Sequence, residues 1–352
     1  LVVLNARDAA NRGADIRIHT KVIRAKRHEG QWQATLYNKD TGQEEQIKAR
    51  LIVNAAGPWV DQVLSEIDGA KKQHHIRLVQ GSHIIVNRLY DHERGYIFQN
   101  SDKRVIFAIP YASDYTLIGT TDRDYEGDPA AVKITQEEFN YLCAAASEYF
   151  NKPVTRADIV WSYSGVRPLF DDGASKAQAA TRDYTLKIEK PAPDEAALIN
   201  IFGGKITTFR QLAETIMQEI EQIIGTRTAA WTGGATLPGG DFPINGLNDL
   251  VTRLQSAYPF LDKTLTRRLC HAYGTQAFAL LDGVTSNADM GEDFSAGARL
   301  GLSAREVDYL IAEEWARSAD DILWRRSKLG LKISDAAVNR LDDYIKKGLP
   351  DD

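Results

Sequence analysis

Apolar and polar positions follow two different periods along this chain, and the places where the period changes mark out its parts. The first ten residues, Leu1-Val-Val-Leu-Asn-Ala-Arg-Asp-Ala-Ala, read as a helix entered after its cap. From Gln31 to Tyr37 the pattern alternates, with Trp32, Ala34 and Leu36 on one side, as a half-buried strand requires. Asp15 to Ile18 and Lys21 to Ala25 are expected as further strands of that layer, and Lys39-Asp-Thr-Gly42 as a hairpin turn. A buried strand over Arg50-Leu-Ile-Val-Asn54 ends in small residues, and there the chain leaves the layer. Residues 76 to 122 hold apolar strands with turn residues between them and no helical period, which predicts an antiparallel sheet rather than βαβ repeats. Thr135-Gln-Glu-Glu138 is a capping box opening a helix through Phe139, Leu142, Cys143, Ala146 and Phe150, so one face of that sheet is expected to be covered.

Further on, the apolar strand Leu198 to Phe202 runs through Gly203 and Gly204 into the capped start of a helix. Its face repeats at Leu212, Ile216, Ile220 and Ile223. A Gly/Pro cluster from Thr232 to Pro243 then marks a domain boundary. In the tail beyond it, Val307, Leu310, Ile311, Trp315, Ile322 and Leu323 form one apolar helical face without strand-like alternation. The opposite face, with Glu313, Glu314, Asp320, Asp321, Arg325 and Arg326, is expected to be a solvated surface.

Composition narrows the classes. At 352 residues the chain suits two or three domains, and its formal charge of −5 argues against a nucleic-acid partner. No run approaches the about 18 apolar residues of a spanning helix, so membrane contact would be peripheral. Cys143 and Cys270 lack CxxC spacing and histidine clusters, which predicts neither a disulfide framework nor a metal site. A reducing cytoplasm and core packing fit both cysteines.

The Gly203-Gly204-Lys205 turn has the makings of an electrostatic site. A helix start offers unpaired N–H groups, the glycines let a planar or anionic ligand approach the backbone, and Lys205 adds a charge. An ordinary strand-to-helix turn with a solvated lysine is the plainer reading of the same residues. Arg167 sits between Ser164-Gly-Val166 and Pro168 in a mostly apolar run, where a guanidinium is costly to bury without a partner. That partner is either a ligand or a structural carboxylate such as Asp171 or Asp172.

Taken together, Asn54-Ala-Ala-Gly-Pro-Trp59, Gln80-Gly-Ser-His83, Ile118-Gly-Thr-Thr-Asp122, Tyr163-Ser-Gly-Val-Arg-Pro-Leu169, Thr181-Arg-Asp-Tyr184, Phe202-Gly-Gly-Lys205 and Glu314-Trp-Ala-Arg-Ser-Ala-Asp-Asp321 resemble the aerobic, membrane-associated FAD-dependent glycerol-3-phosphate dehydrogenases, in that family's order. The family opens with a Gly-x-Gly-x-x-Gly turn for the FAD pyrophosphate, which is not found here. Leu1 is no initiator methionine, so a truncated fragment holding little FAD and inactive alone is expected.

The resemblance implies an α/β plus α+β fold. A partial Rossmann-like FAD-binding domain takes residues 1–70 and 191–231, an antiparallel-sheet substrate domain 71–190, a linker 232–243, and an all-helical C-terminal domain 244–352. It also implies oxidation of sn-glycerol 3-phosphate to dihydroxyacetone phosphate by hydride transfer to FAD, with electrons passed to quinone. The other partners implied are the inner face of the cell membrane, met peripherally from the cytoplasm, and a second copy of the chain.

Arg167 matches the family's substrate-side arginine, for the C2 oxygen or the phosphate. Arg182 is a second phosphate candidate unless neighbouring Asp183 holds some other cation, and Thr120 can donate a hydroxyl to the same pocket. His83 is a candidate general base, or else a histidine bonded to the sheet backbone, with a base from the family's opening segment as the other alternative. Val22, Ala55, Ala56 and Gly57 match the family's dinucleotide contacts. Gly204, Lys205, Ile206 and Thr207 match those at the flavin's pyrimidine edge, where Lys205 would favour the negative charge of reduction. A glycerol-3-phosphate oxidase, a flavin amine or amino-acid oxidase, and a non-catalytic interaction module are the alternatives.

Overall fold

In a computed structural model that describes residues 1–67, 76–171, 183–189, 195–225, 229–295 and 301–348, the chain divides into two compact units. The opening helix α1 (Val2–Asn11) groups with residues 231–352, while residues 19–230 form the other unit. The sequence grouping of residues 1–70 thus differs from the structure at its start. Arg7 lies over the Trp315 ring and 3.5 Å from Glu313, contacts between residues far apart in sequence that periodicity does not show.

Within the sheet unit, β1 (Thr20–His28), β2 (Gln31–Asn38) and β3 (Glu44–Ala49) form an antiparallel sheet. Asp15 to Ile18, expected as a strand, is irregular; the chain turns at His19, whose φ is 51°, and pairing begins only at Thr20. Strand β4 (Leu51–Asn54) leads to α2 (Val60–Ser65). The antiparallel sheet expected from residue 76 onward comprises β5 (Ile76–Asn87), β6 (Tyr96–Gln99), β7 (Val105–Tyr111), β8 (Tyr115–Gly119) and the short β9 (Arg123–Asp124). After α3 (Gln136–Ser147), β10 (Ile159–Phe170) completes it, in the order β10-β5-β8-β7-β6 with β9 beside β5.

Thr135 and Glu138 make the capping box reciprocally, and α3 covers one face of this sheet. There Leu142, Ala145 and Ala146 pack on Ile84, Val86, Ile106 and Ile118. A third sheet places β12 (Ala197–Phe202) parallel to β4 and antiparallel to β11 (Thr185–Glu189). Every residue of β12 is buried, which fits its unbroken apolar sequence. On one side Leu198 and Phe202 meet Trp32, Val60 and Leu64; on the other, Ile199 and Ile201 meet Ile216, Leu212 and Ile220 of α4 (Phe209–Ile224).

The helical unit contains α5 (Leu247–Ala257), α6 (Lys263–Tyr273), α7 (Gln276–Leu280), α8 (Ala304–Glu314) and α9 (Asp335–Gly348) around one core, with Cys270 inside it. The tail is not one continuous helix. At the end of α8, Trp315 takes a left-handed conformation (φ 53°), and a wide helical turn follows over Asp321–Arg326. Nor is its charged face all solvated. Glu314 is buried; the Arg326 Nη2 donates to the Glu314 carbonyl at 2.6 Å, and its Nη1 lies 3.7 Å from Asp321. Burial, as the main cause, raises the Glu314 pKa.

Candidate functional site

Strand alternation decides what the free face of the six-stranded sheet carries. Along β5, Gln80 reaches back to Glu138 of α3 and Ile84 packs beneath the sheet, so Gly81 and His83 take the opposite face. Register places Tyr163 of β10 beside His83 and Gly165 beside Gly81, while Gly119 of β8 flanks His83 on its other side. Two residues beyond Gly165, Arg167 shares that face.

The His83 ring stacks on Tyr163, with centres 4.8 Å apart and planes 9° apart. Its Nδ1 is buried and has no hydrogen-bond partner among the described residues, so the reading of a histidine bonded to the sheet backbone through that atom does not hold. Burial first, and then the Arg167 guanidinium, bring its pKa from 6.5 down to about 4. The imidazole is therefore neutral over the physiological range. Because the folded value lies below the unfolded one, the stability tied to the neutral ring is fully present above about pH 6.5 and is lost as pH falls toward 4. Unfolding midpoints of wild type and His83→Gln should therefore diverge across that window, and ring titration by NMR near 6.5 would contradict the assignment.

Arg167 grips two groups from one bend of the chain. Its Nη1 donates to Asp122 Oδ1 at 2.6 Å and its Nη2 to Thr120 Oγ1 at 3.2 Å. Asp122 is thus a structural carboxylate for Arg167 besides the expected Asp171 or Asp172; Asp172 lies outside the described residues, as does Arg182. Glycines make the room. A Cβ on Gly81 would stand 2.7 Å from Arg167 Nη2 and 2.9 Å from Thr120 Oγ1, and one on Gly119 would overlap the His83 ring, with Cγ at 2.7 Å.

The turn after β12 comes close to this face. Gly203 (φ 74°) and Gly204 (φ 113°) take a conformation that favours glycine, and a Cβ on Gly203 would stand 3.5 Å from the carbonyl of Pro168, the residue after Arg167. Lys205 Nζ donates to Asp183 Oδ1 at 2.7 Å, both side chains being exposed, so Asp183 serves Lys205. Ile206–Thr208 form a 3-10 turn, and α4 proper begins at Phe209. No side chain caps either start, in contrast to the capped helix expected. The Thr208 N–H instead donates to the Lys205 carbonyl at 3.1 Å.

Val22, Ala55 and Ala56 come together in the wall of a cleft of about 1050 Å³, with Asn54 and Trp59 beside them. Gly57 is not in that wall; at φ 53° it starts the 3-10 turn that leads to α2. Asn54 holds the bend through Nδ2, which donates to the Val60 carbonyl and to Asn200 Oδ1, each at 3.0 Å. The residues present fit a dinucleotide. The cleft lies at the top of the roughly 300 to 1,000 Å³ range of ligand pockets, and its wall sets the small residues Ala25, Ala34, Ala49, Ala55 and Ala56 among larger apolar side chains such as Leu36, Ile47 and Leu51.

Sequence reading did not single out Asp122, Tyr163, Gly81, Gly119 or the Asn54–Asn200 pair. A signal was present in the i, i+2 spacing of Gly81 with His83 and of Tyr163, Gly165 and Arg167, which sets side chain beside bare backbone on a single face.

Residues 1–186 match the family of FAD dependent oxidoreductases, and residues 230–346 match the C-terminal domain of alpha-glycerophosphate oxidase. A glycerol-3-phosphate dehydrogenase of Pseudomonas aeruginosa is 45% identical over 99% of this chain and 67% of its own length. The aerobic glycerol-3-phosphate dehydrogenase of Escherichia coli is 40% identical over 98% and 68%. A D-erythritol 1-phosphate dehydrogenase of Brucella abortus is 41% identical over 96% and 66%. Among solved structures, the glycerol-3-phosphate dehydrogenase of Bacillus halodurans complexed with FAD superposes with a TM-score of 0.81 at 25% identity, over 98% of this chain and 66% of that one. The chain spans about two thirds of the length of these relatives.

Proposed function

The chain belongs to the FAD-dependent glycerol-3-phosphate dehydrogenases, and from that premise we propose that the protein carrying it oxidises sn-glycerol 3-phosphate to dihydroxyacetone phosphate on the free face of the six-stranded sheet. The observation that carries this reading is the presence on that one face of Arg167, a fixed cation, and of His83, a neutral base whose buried Nδ1 has no partner among the described residues. FAD, when bound, supplies the hydride acceptor for C2.

The chain's own residues do the rest. Arg167, held by Asp122 and Thr120, binds the phosphate or the C2 oxygen, with Arg182 as a second phosphate ligand and Thr120 as a hydroxyl donor. His83 takes the C2 hydroxyl proton. An anionic substrate on Arg167 offsets the charge that depresses His83, so binding the substrate raises the basicity of its own proton acceptor. Val22, Ala55 and Ala56 hold the dinucleotide, Gly57 sets the turn beside them, and Gly204 to Thr207 face the flavin ring. Electrons then pass to a quinone at the inner face of the cell membrane, which the protein meets peripherally from the cytoplasm as a homodimer. No helix among the described residues is long and apolar enough to cross a membrane.

A dye-coupled assay of the full-length, FAD-loaded protein tests the reading with sn-glycerol 3-phosphate, glycerol and erythritol 1-phosphate as substrates. Turnover of the first well above the others supports it. Preference for the erythritol ester would reassign the substrate, and peroxide formation in place of dye or quinone reduction would make the protein an oxidase.

For Lys205, replacement by Met keeps the stem and removes the charge. Flavin should remain bound while its potential falls and substrate reduction slows by about two orders of magnitude. Asp183→Asn should move the potential the other way, since it leaves the Lys205 ammonium uncompensated. An unchanged potential with weakened substrate binding would place Lys205 on the phosphate instead.

A further inference from the structure

The groups that hold Arg167 lie at a break in the sheet ladder. Strand β8 pairs with β5 as far as Gly119 opposite His83, and pairing resumes with Arg123 of β9 opposite Gln80. Thr120, Thr121 and Asp122 therefore stand against Gly81 and Ser82 alone. Three residues against two make a bulge, where main-chain ladder bonds no longer set the conformation.

A side-chain network takes their place. Thr121 Oγ1 accepts from the Ser82 backbone N–H at 2.9 Å and donates to Glu138 Oε1 at 2.5 Å. Ser82 Oγ donates to the same oxygen at 2.7 Å and lies 2.8 Å from Ser164 Oγ of β10. Glu138 Oε2 accepts from Gln80 Nε2 and from the Thr135 backbone N–H, each at 2.9 Å. Only the last of these bonds serves the capping of α3. Glu138 is 5% exposed and none of its four donors is a cation, so the carboxylate is buried at a cost that capping alone does not require. Strand alternation transmits the result. With Ser82 tied beneath the sheet, Gly81 and His83 are set above it, and with Thr121 tied beneath, Thr120 and Asp122 are set to grip Arg167.

We propose that Glu138 is a positioning residue, which fixes His83 and the Thr120–Asp122 hold on Arg167 through Ser82 and Thr121. The inference rests on the roles proposed above for Arg167 and His83.

Its test uses the full-length, FAD-loaded protein and four variants. Glu138→Gln replaces one acceptor oxygen by a donor, Thr121→Val removes the hydroxyl at nearly constant shape, Thr121→Ser keeps it, and Arg167→Ala removes the guanidinium. Flavin content and circular dichroism should be unchanged in Glu138→Gln and Thr121→Val. Their kcat/KM for sn-glycerol 3-phosphate, and their affinity for dihydroxyacetone phosphate by calorimetry, should fall about tenfold or more, the scale of one bond to a charged group. Thr121→Ser should recover most of that loss, and combining either variant with Arg167→Ala should cost little beyond Arg167→Ala alone.

Wild-type affinity in Thr121→Val, or losses that add in full to those of Arg167→Ala, would overturn the proposal. Should Glu138→Gln not fold, the Thr121 pair decides the question by itself. If Arg167→Ala leaves product affinity unchanged, it is the substrate role of Arg167 that fails, a result distinct from the failure of Glu138.

Discussion

Arg167→Ala is expected to lower kcat/KM for sn-glycerol 3-phosphate by roughly ten- to a hundredfold for each charge-assisted bond lost, in the full-length, FAD-loaded protein. Residual oxidation of unphosphorylated glycerol should fall far less if the guanidinium serves the phosphate. The structure adds a second cost. Asp122 is largely buried against Arg167 at 2.6 Å, and removing the cation leaves that carboxylate without it. Arg167→Lys separates the two effects, since an ammonium supplies charge but cannot reach Asp122, Thr120 and an anion with the planar fork of a guanidinium. Arg167→Lys should therefore recover stability more than turnover. Equal losses on glycerol 3-phosphate and glycerol would make Arg167 structural, or assign it to the C2 oxygen that both substrates share.

How much of this was legible beforehand follows from the range of each interaction. The capping box at Thr135, the alternation in β2, the antiparallel strands from residue 76 and the buried run of β12 are local patterns, and each formed where it was expected. Asp15 to Ile18 failed because four residues of alternation cannot outweigh a turn at His19 that sends the chain into β1. The partner of Arg167 could not be read from spacing, because Asp122 comes from a bulge 45 residues earlier that only strand pairing brings near. The acidic and basic residues of the tail misled for the same reason. Glu314 and Arg326 are 12 positions apart, and the kink at Trp315 turns what a continuous helix would leave in water into a buried contact. At the site, residue types were readable and partners were not. A neutral, desolvated His83 follows from Tyr163 and Arg167 of β10 and Gly119 of β8, which the two strands flanking β5 bring to it.

The Gly119→Ala variant puts that arrangement under the most direct test. Gly119 does not have a positive φ, so alanine is acceptable to the backbone itself, and the penalty is steric. The added methyl would overlap His83, with Cγ at 2.7 Å and Nε2 at 2.8 Å. To escape, the ring must leave its stack on Tyr163 and carry its nitrogens away from where a substrate hydroxyl would meet them. Overpacking of this kind costs about 1 to 3 kcal/mol of stability. The larger effect should be on catalysis, because displacing a proton acceptor by about 1 Å can lower a rate by roughly a hundredfold. Substrate affinity, set mainly by Arg167 on the neighbouring strand, should change much less, so kcat falls while KM stays near its value. In a His83→Ala background there is no ring to displace, and Gly119→Ala should then cost almost nothing further. Wild-type kcat in the single variant would show that the position of His83 does not govern proton removal. An undiminished loss in the double variant would trace the effect to the Gly119 backbone, and the base would have to be sought elsewhere than on this sheet face.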